Sequence, residues 1–291
     1  MPDYFSERRL LIDAHLDGIA GHAVSPPSLR PALQAAITSG GKRIRGILTM
    51  AVGEAWGVPA PKLLDAAAAF EMIHSCSLII DDLPSLDDAT LRRGSPTIHR
   101  QYGEDLAILS AFALLNESYA LLARNHGALR PRRWGLPGLI GRVSGAVGWD
   151  GTIGGEAVDL HSETATLDFS TLEYIHSRKT GALFVAAGAV GAMLANAPEP
   201  GLRSIEAYAK NLGLAFQITD DVLDVVGTSA ELGKDTGKDS ERLTFVKLAG
   251  VEGSRELTGE LIETSMKAIE PLGKRGEHLR ALALLVRDRT K

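Results

Sequence analysis

Residues 77–94, SLIIDDLPSLDDATLRRG, place Asp81, Asp82, Asp87 and Asp88 behind an apolar run and ahead of Arg92, Arg93 and Gly94. If the run is helical, Asp81 and Asp82 fall on its last turn. Asp87 and Asp88 then fall on the loop beyond Pro84, whose ring cannot continue helical hydrogen bonding. The C-terminal end of a helix is its negative pole, where acids are disfavoured. A second cluster, FQITDDVLDVVG at 216–227, repeats the problem. Asp220 and Asp224 are four apart and share a helix face, Asp221 lies between them, and Gly227 closes the segment. Carboxylates with no histidine or thiolate interleaved suit Mg²⁺, which takes one or two of them and completes its shell with water and substrate phosphates.

Basic segments match the phosphate half of that chemistry. GGKRIRG at 40–46 opens an expected helix with Lys42, Arg43 and Arg45, and exposed N–H groups at a helix start favour anions. Arg92 and Arg93 follow the first acid cluster, Lys179 lies in HSRKTG, and Lys234 in ELGKDTG follows the second. Each segment alone reads most simply as solvated surface, and His74 alone as a core histidine. Their joint occurrence, with both acid clusters ending apolar helices, describes a site for a metal-bridged diphosphate.

The elements that must carry these residues are helices. Alanine and leucine dominate and period-two alternation is scarce. The pattern predicts helices near 4–20, 27–38, 42–56, 60–82, 97–124, 142–163, 168–195, 201–226, 241–249, 253–269 and 275–289. Breakers stand between them at SPPS (25–28), GVPAPK (57–62), RPRRWGLPG (130–138) and NAPEPG (196–201). No linker is long enough to divide the chain, so residues 1–291 are expected to form one all-α domain.

Composition narrows the function classes. A formal net charge of −5 and a pI near 5.9 argue against nucleic acid or an anionic membrane as partner. The single cysteine, Cys76, permits no internal disulfide and fits a reducing compartment. The N-terminal residues lack a signal-peptide core, and LLDAAAAFEMIHSCSLII carries Asp65, Glu71 and His74, so it reads as a buried helix rather than a membrane span. A cytoplasmic protein is expected.

A different class competes. Glu71–His74 and Glu173–His176 are two Glu-x-x-His motifs of the kind that mark di-iron carboxylate bundles. Glu54, Glu117 and Glu156 are candidates for the two further glutamates such a site needs, but this reading leaves both aspartate clusters without a role.

GGKRIRG, EMIHSCSLIIDDLPSLDDATLRRGSPTIH, IHSRKTGAL and GLAFQITDDVLDVVGTSAELGKDTGKD resemble, in order and spacing, the motifs of the trans-isoprenyl diphosphate synthases of the short-chain bacterial and plastid kind. The likeness runs from about residue 40 to 250, and LALLVRDRTK resembles the family's usual ending. It implies long antiparallel helices around a deep apolar cavity, usually in a homodimer. It also implies Mg²⁺-dependent condensation of isopentenyl diphosphate with an allylic diphosphate, with two or three ions bridged by the diphosphate. Carried over by position, Asp81, Asp87 and Asp220 are metal ligands, with Asp82, Asp88, Asp221 and Asp224 in support. Arg92, Lys179 and Lys234 hold the allylic diphosphate. Lys42, Arg45, His74 and Arg93 hold isopentenyl diphosphate, and Thr180 and Gln217 line the reacting end.

Some positions depart from the family pattern: Ile80 for a histidine, Gly46 for a proline, Phe112 for an aspartate and Glu156 for a glutamine. Arg242 stands near where a lysine is usual. A terpene cyclase or a non-catalytic subunit would be expected to lose one aspartate motif or the basic ones, and this chain keeps them. Product length is expected to depend on Cys76 and Ser77. Both are small and lie one turn or so before Asp81, so they predict a twenty-carbon product. A floor made by Phe112 would instead give fifteen carbons.

Overall fold

The computed structural model describes residues 3–22, 26–162, 168–226 and 244–289. The helices are α1 (Tyr4–His22), α2 (Arg30–Thr38), α3 (Ile44–Ala55), α4 (Leu64–Asp81), α5 (Ile98–Tyr102), α6 (Glu104–Leu129) and α7 (Leu136–Val147). They continue with α8 (Thr152–His161), α9 (Phe169–His176), a π-helical turn (Ser177–Gly181), α10 (Ala182–Leu194), α11 (Glu199–Val226), α12 (Phe245–Ala268) and α13 (Glu277–Arg287). The all-α architecture is as expected.

Glycines and one arginine move several expected boundaries. The helix expected over 97–124 breaks at Gly103 (φ 93°) into α5 and α6, and α6 runs on to Leu129. The helix expected over 142–163 is divided at Gly148–Gly151. Its first half starts earlier, at Leu136, because Pro137 sits in the first turn, where a missing N–H costs nothing. Helix α3 begins at Ile44 rather than 42, since Arg43 holds a left-handed conformation (φ 54°). Residues 91–96 form a hairpin that periodicity did not suggest: Leu91–Arg92 pairs with Ser95–Pro96 across Arg93 and Gly94, both at positive φ.

The core explains why the helices lie together. Helix α4 carries Ala66–Ala69, all fully buried, so its neighbours α3 and α6 approach closely. Helix α10 is buried along almost its whole length and crosses α3 at Gly191, where a Cβ would lie 2.5 Å from the Thr49 carbonyl oxygen. Thr49 donates to the Ala187 carbonyl at the same crossing. Tyr208 of α11 is fully buried, and its hydroxyl donates to Leu279 O (2.7 Å), tying α11 to α13. Tyr4 stacks on His278 and donates to Glu54, which Arg8 also grips, so α1 is strapped to α3 and α13.

Two segments, Ala60–Asp81 and Glu104–Leu129, are long and apolar enough to cross a membrane. The first, read as a core helix from its sequence, is mostly buried in the bundle; the second was not anticipated. It leaves an apolar stripe outward, with Leu109 and Phe112 on it.

Candidate active site

The first acid cluster folds as the spacing predicts. Helix α4 ends at Asp81, Asp82 caps it, and the chain returns, with Asp87 N–H bonded to Asp81 O (2.9 Å) and Ala89 N–H to Asp82 O (3.2 Å). The loop is thus fastened to the helix end that it must stand beside. Burial, aided by the charges of Glu156 and Asp87, pushes the Asp81 carboxyl up to about 7. Asp82 is turned differently: it is buried and accepts from Arg92 Nε (3.0 Å) and Nη2 (2.5 Å). Asp88 pairs with Arg100 on the outer side.

The π-turn supplies the facing groups. The wider π-helical winding places adjacent residues toward different neighbours, and such turns recur at functional sites. Lys179 Nζ lies 2.5 Å from Glu156 Oε2 and 2.8 Å from Asp159 Oδ2, both on α8, and within the field of Asp81. Burial opposes its charge, but Asp159, Glu156 and Asp81 outweigh that and raise its pKa. Thr180 donates to Gln217 Oε1 on α11 (2.9 Å), whose Nε2 donates to Asp221 Oδ1 (3.0 Å). Asp221 Oδ2 accepts the Phe245 N–H that opens α12. Asp221 is therefore spent on fastening α12 to α11, and burial pushes it up to about 7.

Asp220 faces a basic group. Arg289, from the chain's last described residue, pairs with it (2.5 Å) and stacks over the Phe216 ring. Asp220 and Arg289 both act electrostatically on Lys42, whose pKa burial lowers to about 8. Arg45 is buried over the Phe184 ring and held down to about 10 by burial. Arg93 donates to Gly40 O and Ser39 Oγ, and Gly41 (φ 128°) leaves room for its guanidinium, which a Cβ there would meet at 2.9 Å. Burial and the cations Arg45, Arg93, Arg92 and Arg43 hold His74 well below the usual imidazole range.

The structure thus brings together Asp81, Asp87 and Lys179 at one motif and Asp220, Lys42 and Arg45 at the other, with Thr180 and Gln217 linked by hydrogen bonds to Asp221 of the second. Lys234 and Arg242 lie outside the described residues. The sequence reading missed Asp159 and Arg289. The three-residue spacing of Glu156 and Asp159 could have signalled the first, since it puts them on one helix face. Arg289 lies in the matched C-terminal segment LALLVRDRTK, but only tertiary folding shows that it meets Asp220.

Two of the alternatives weighed above find no support in the geometry. Phe112 is 64% exposed on α6, so it floors no cavity of its own chain. The di-iron pairing fails because Glu71 accepts the Gly46 N–H (2.9 Å) and faces Arg43, while His176 faces Asp221.

The donor set fits Mg²⁺. The acids offer hard carboxylate oxygens, and burial together with the neighbouring carboxylates Glu156 and Asp87 makes the Asp81 charge costly enough that a divalent cation beside it would be favoured. Among the described residues no three histidine, cysteine, aspartate or glutamate side chains converge tightly enough to hold an ion unaided.

The chain belongs to the polyprenyl synthetase family, whose model matches residues 26–272. It is a prenyltransferase. It is 40% identical to a dimethylallyltranstransferase of Fischerella ambigua (strain UTEX 1903), over 100% of this chain and 84% of that protein. It is 39% identical to a geranylgeranyl diphosphate synthase of Cyanophora paradoxa, over 91% of this chain and 89% of that one. Among solved structures, the geranyltransferase of Helicobacter pylori complexed with magnesium and isoprenyl diphosphate superposes with a TM-score of 0.84 at 29% identity, covering 98% of both chains. An FPP/GFPP synthase of Zymomonas mobilis superposes with a TM-score of 0.83 at 31% identity, covering 97% of both.

Proposed function

We propose that this prenyltransferase is a geranylgeranyl diphosphate synthase. It joins isopentenyl diphosphate head to tail with an allylic diphosphate, extends the product to twenty carbons and releases pyrophosphate. The observation that carries the reading is the π-turn, whose neighbouring residues Lys179 and Thr180 reach toward the first and second aspartate motifs respectively. A diphosphate held there has its leaving oxygen within reach of cations and its carbon chain beside neutral polar groups.

Arg92, Lys179 and Lys234 hold the allylic diphosphate, and Lys42, Arg45, Arg93 and the neutral His74 hold isopentenyl diphosphate. When bound by Asp81, Asp82, Asp87, Asp220 and Asp224, two or three Mg²⁺ ions would neutralise charge growing on the departing diphosphate. The allylic carbon–oxygen bond breaks, and its electron pair leaves with pyrophosphate. The carbon left behind is cationic, and the oxygens of Thr180 and Gln217 face it. The double bond of isopentenyl diphosphate supplies the electron pair of the new carbon–carbon bond. The proton then lost goes to the pyrophosphate, so no strong protein base is needed. The buried walls around Phe184 and Phe216 exclude water that would quench the cation.

A homodimer through the outward face of α6, a cytoplasmic setting and a one-domain organisation belong to the same proposal. The exposed Leu109 and Phe112, the free thiol of Cys76, and a core shared by helices from both halves of the chain support them. Purified protein incubated with labelled isopentenyl diphosphate and each allylic primer should give a twenty-carbon diphosphate with Mg²⁺ and none in excess chelator. Turnover undiminished by chelator would remove the metal from the mechanism. A product ending at fifteen carbons would make this a farnesyl diphosphate synthase.

A further inference from the structure

Lys179 is shared between two carboxylates before any substrate arrives. Glu156 and Asp159 are three residues apart on α8, and their side chains are only 13% and 20% exposed. Their placement is built into the backbone. Gly155 lies so close to the π-turn that a Cβ would stand 2.5 Å from Lys179 N and 2.9 Å from Arg178 Cβ. Gly154 packs as tightly on Trp149, where a Cβ would collide with the carbonyl oxygen. The close approach at Gly155 therefore sets α8 against the turn and holds Glu156 and Asp159 beside Lys179. Asp81 lies within the field of the same pair. One ammonium thus serves three carboxylates.

This arrangement has a consequence for binding. A diphosphate oxygen that takes Lys179 must displace Glu156 and Asp159, leaving their charges uncompensated in a largely buried place, which is costly. A divalent cation entering beside Asp81 supplies the missing positive charge. Resting on the proposed function above, we infer that Glu156 is a positioning residue that keeps Lys179 engaged until a divalent cation enters, coupling metal binding to release of the lysine for the diphosphate. Metal and diphosphate then favour each other's binding at this motif, and Glu156 strengthens that coupling beyond what simple bridging between metal and phosphate provides.

The test measures binding of inorganic pyrophosphate by calorimetry, in chelator and in saturating Mg²⁺, to the wild type and to Glu156→Gln. The ratio of the two affinities is the coupling factor, and by linkage the same factor describes metal binding with and without pyrophosphate. Glu156→Gln keeps the shape and removes the charge. It should bind pyrophosphate more tightly in chelator and reduce the coupling factor by about tenfold, the scale of one charge a few ångströms away in a partly screened site. A role confined to packing α8 would lower thermal stability and leave the ratio unchanged. Should Glu156→Gln not fold, Asp159→Asn carries the same expectation through the other carboxylate. An unchanged coupling factor in a folded variant overturns the inference while leaving the proposed function standing. If the wild type binds no pyrophosphate even with Mg²⁺, the reading of the site itself fails.

Discussion

Asp81 sits where two demands conflict. It must be charged to hold a cation, yet burial and the carboxylates Glu156 and Asp87 favour its protonated form and push it up to about 7. An unfolded aspartate titrates near 4. Between those values the folded protein binds the extra proton, so in chelator this group makes stability fall as pH rises. Asp81→Asn removes the effect. Variant and wild type should melt alike near pH 4, and the variant should melt higher by roughly 3 °C or more at pH 8. With Mg²⁺ and both substrates the same variant should lose at least ~10² in kcat, the scale of a major electrostatic contributor. Parallel melting curves across the pH range would show that Asp81 is ionised at little cost. This residue was legible in the sequence because its oddity is local: an acid at the wrong pole of a helix. Arg289 was not, because its partner Asp220 is distant in the chain and only the docking of α13 joins them.

At the scale of elements, periodicity revealed the helices, while backbone detail decided what they present. The left-handed Arg43 and the glycines at 103, 148 and 151 shift or divide helices that composition alone would continue. The π-turn is invisible to hydrophobic spacing, since SRKTG differs from an ordinary helical turn only in hydrogen-bond register. Helix α4 is the element whose sequence says most about the product. Cys76 lies five residues before Asp81, about 7.5 Å along the axis, and Ser77 one turn before it on nearly the same face. Both are small and half-buried, and the Ser77 hydroxyl is turned back to His74 O (2.9 Å); the proposed twenty-carbon product requires the growing tail to pass them. Cys76→Tyr places an aromatic ring in that path. It should shorten a twenty-carbon product to fifteen while turnover persists, read by chromatography of the dephosphorylated products. The added ring costs about 1–3 kcal/mol if the pocket cannot yield, so a melting curve accompanies the assay. Unchanged product length in a folded, active variant would remove Cys76 as the gate.

For the whole molecule, the outward face of α6 poses the remaining question. Leu109 and Phe112 are 54% and 64% exposed and sit one turn apart, with the exposed Ile108 beside them. Inward positions of the same helix, Ala107, Ala111 and Leu114, are buried against the bundle. A helix apolar on both sides buries the second side elsewhere, and a second copy of the chain is the occupant this family reading supplies. In a two-fold dimer each substitution appears twice across the same contact. The double variant Leu109→Glu, Phe112→Glu should therefore sediment as a monomer at concentrations where the wild type is a dimer. Its dissociation constant should rise at least ~10², as for loss of a central apolar anchor. Its helix content should be kept, since neither side chain packs in the core. Phe112→Ala separates interface from gate: an unchanged product length leaves Phe112 as a contact between subunits, whereas a longer product places it at the end of the partner's cavity. A wild type that sediments as a monomer would leave the α6 face without the partner proposed for it.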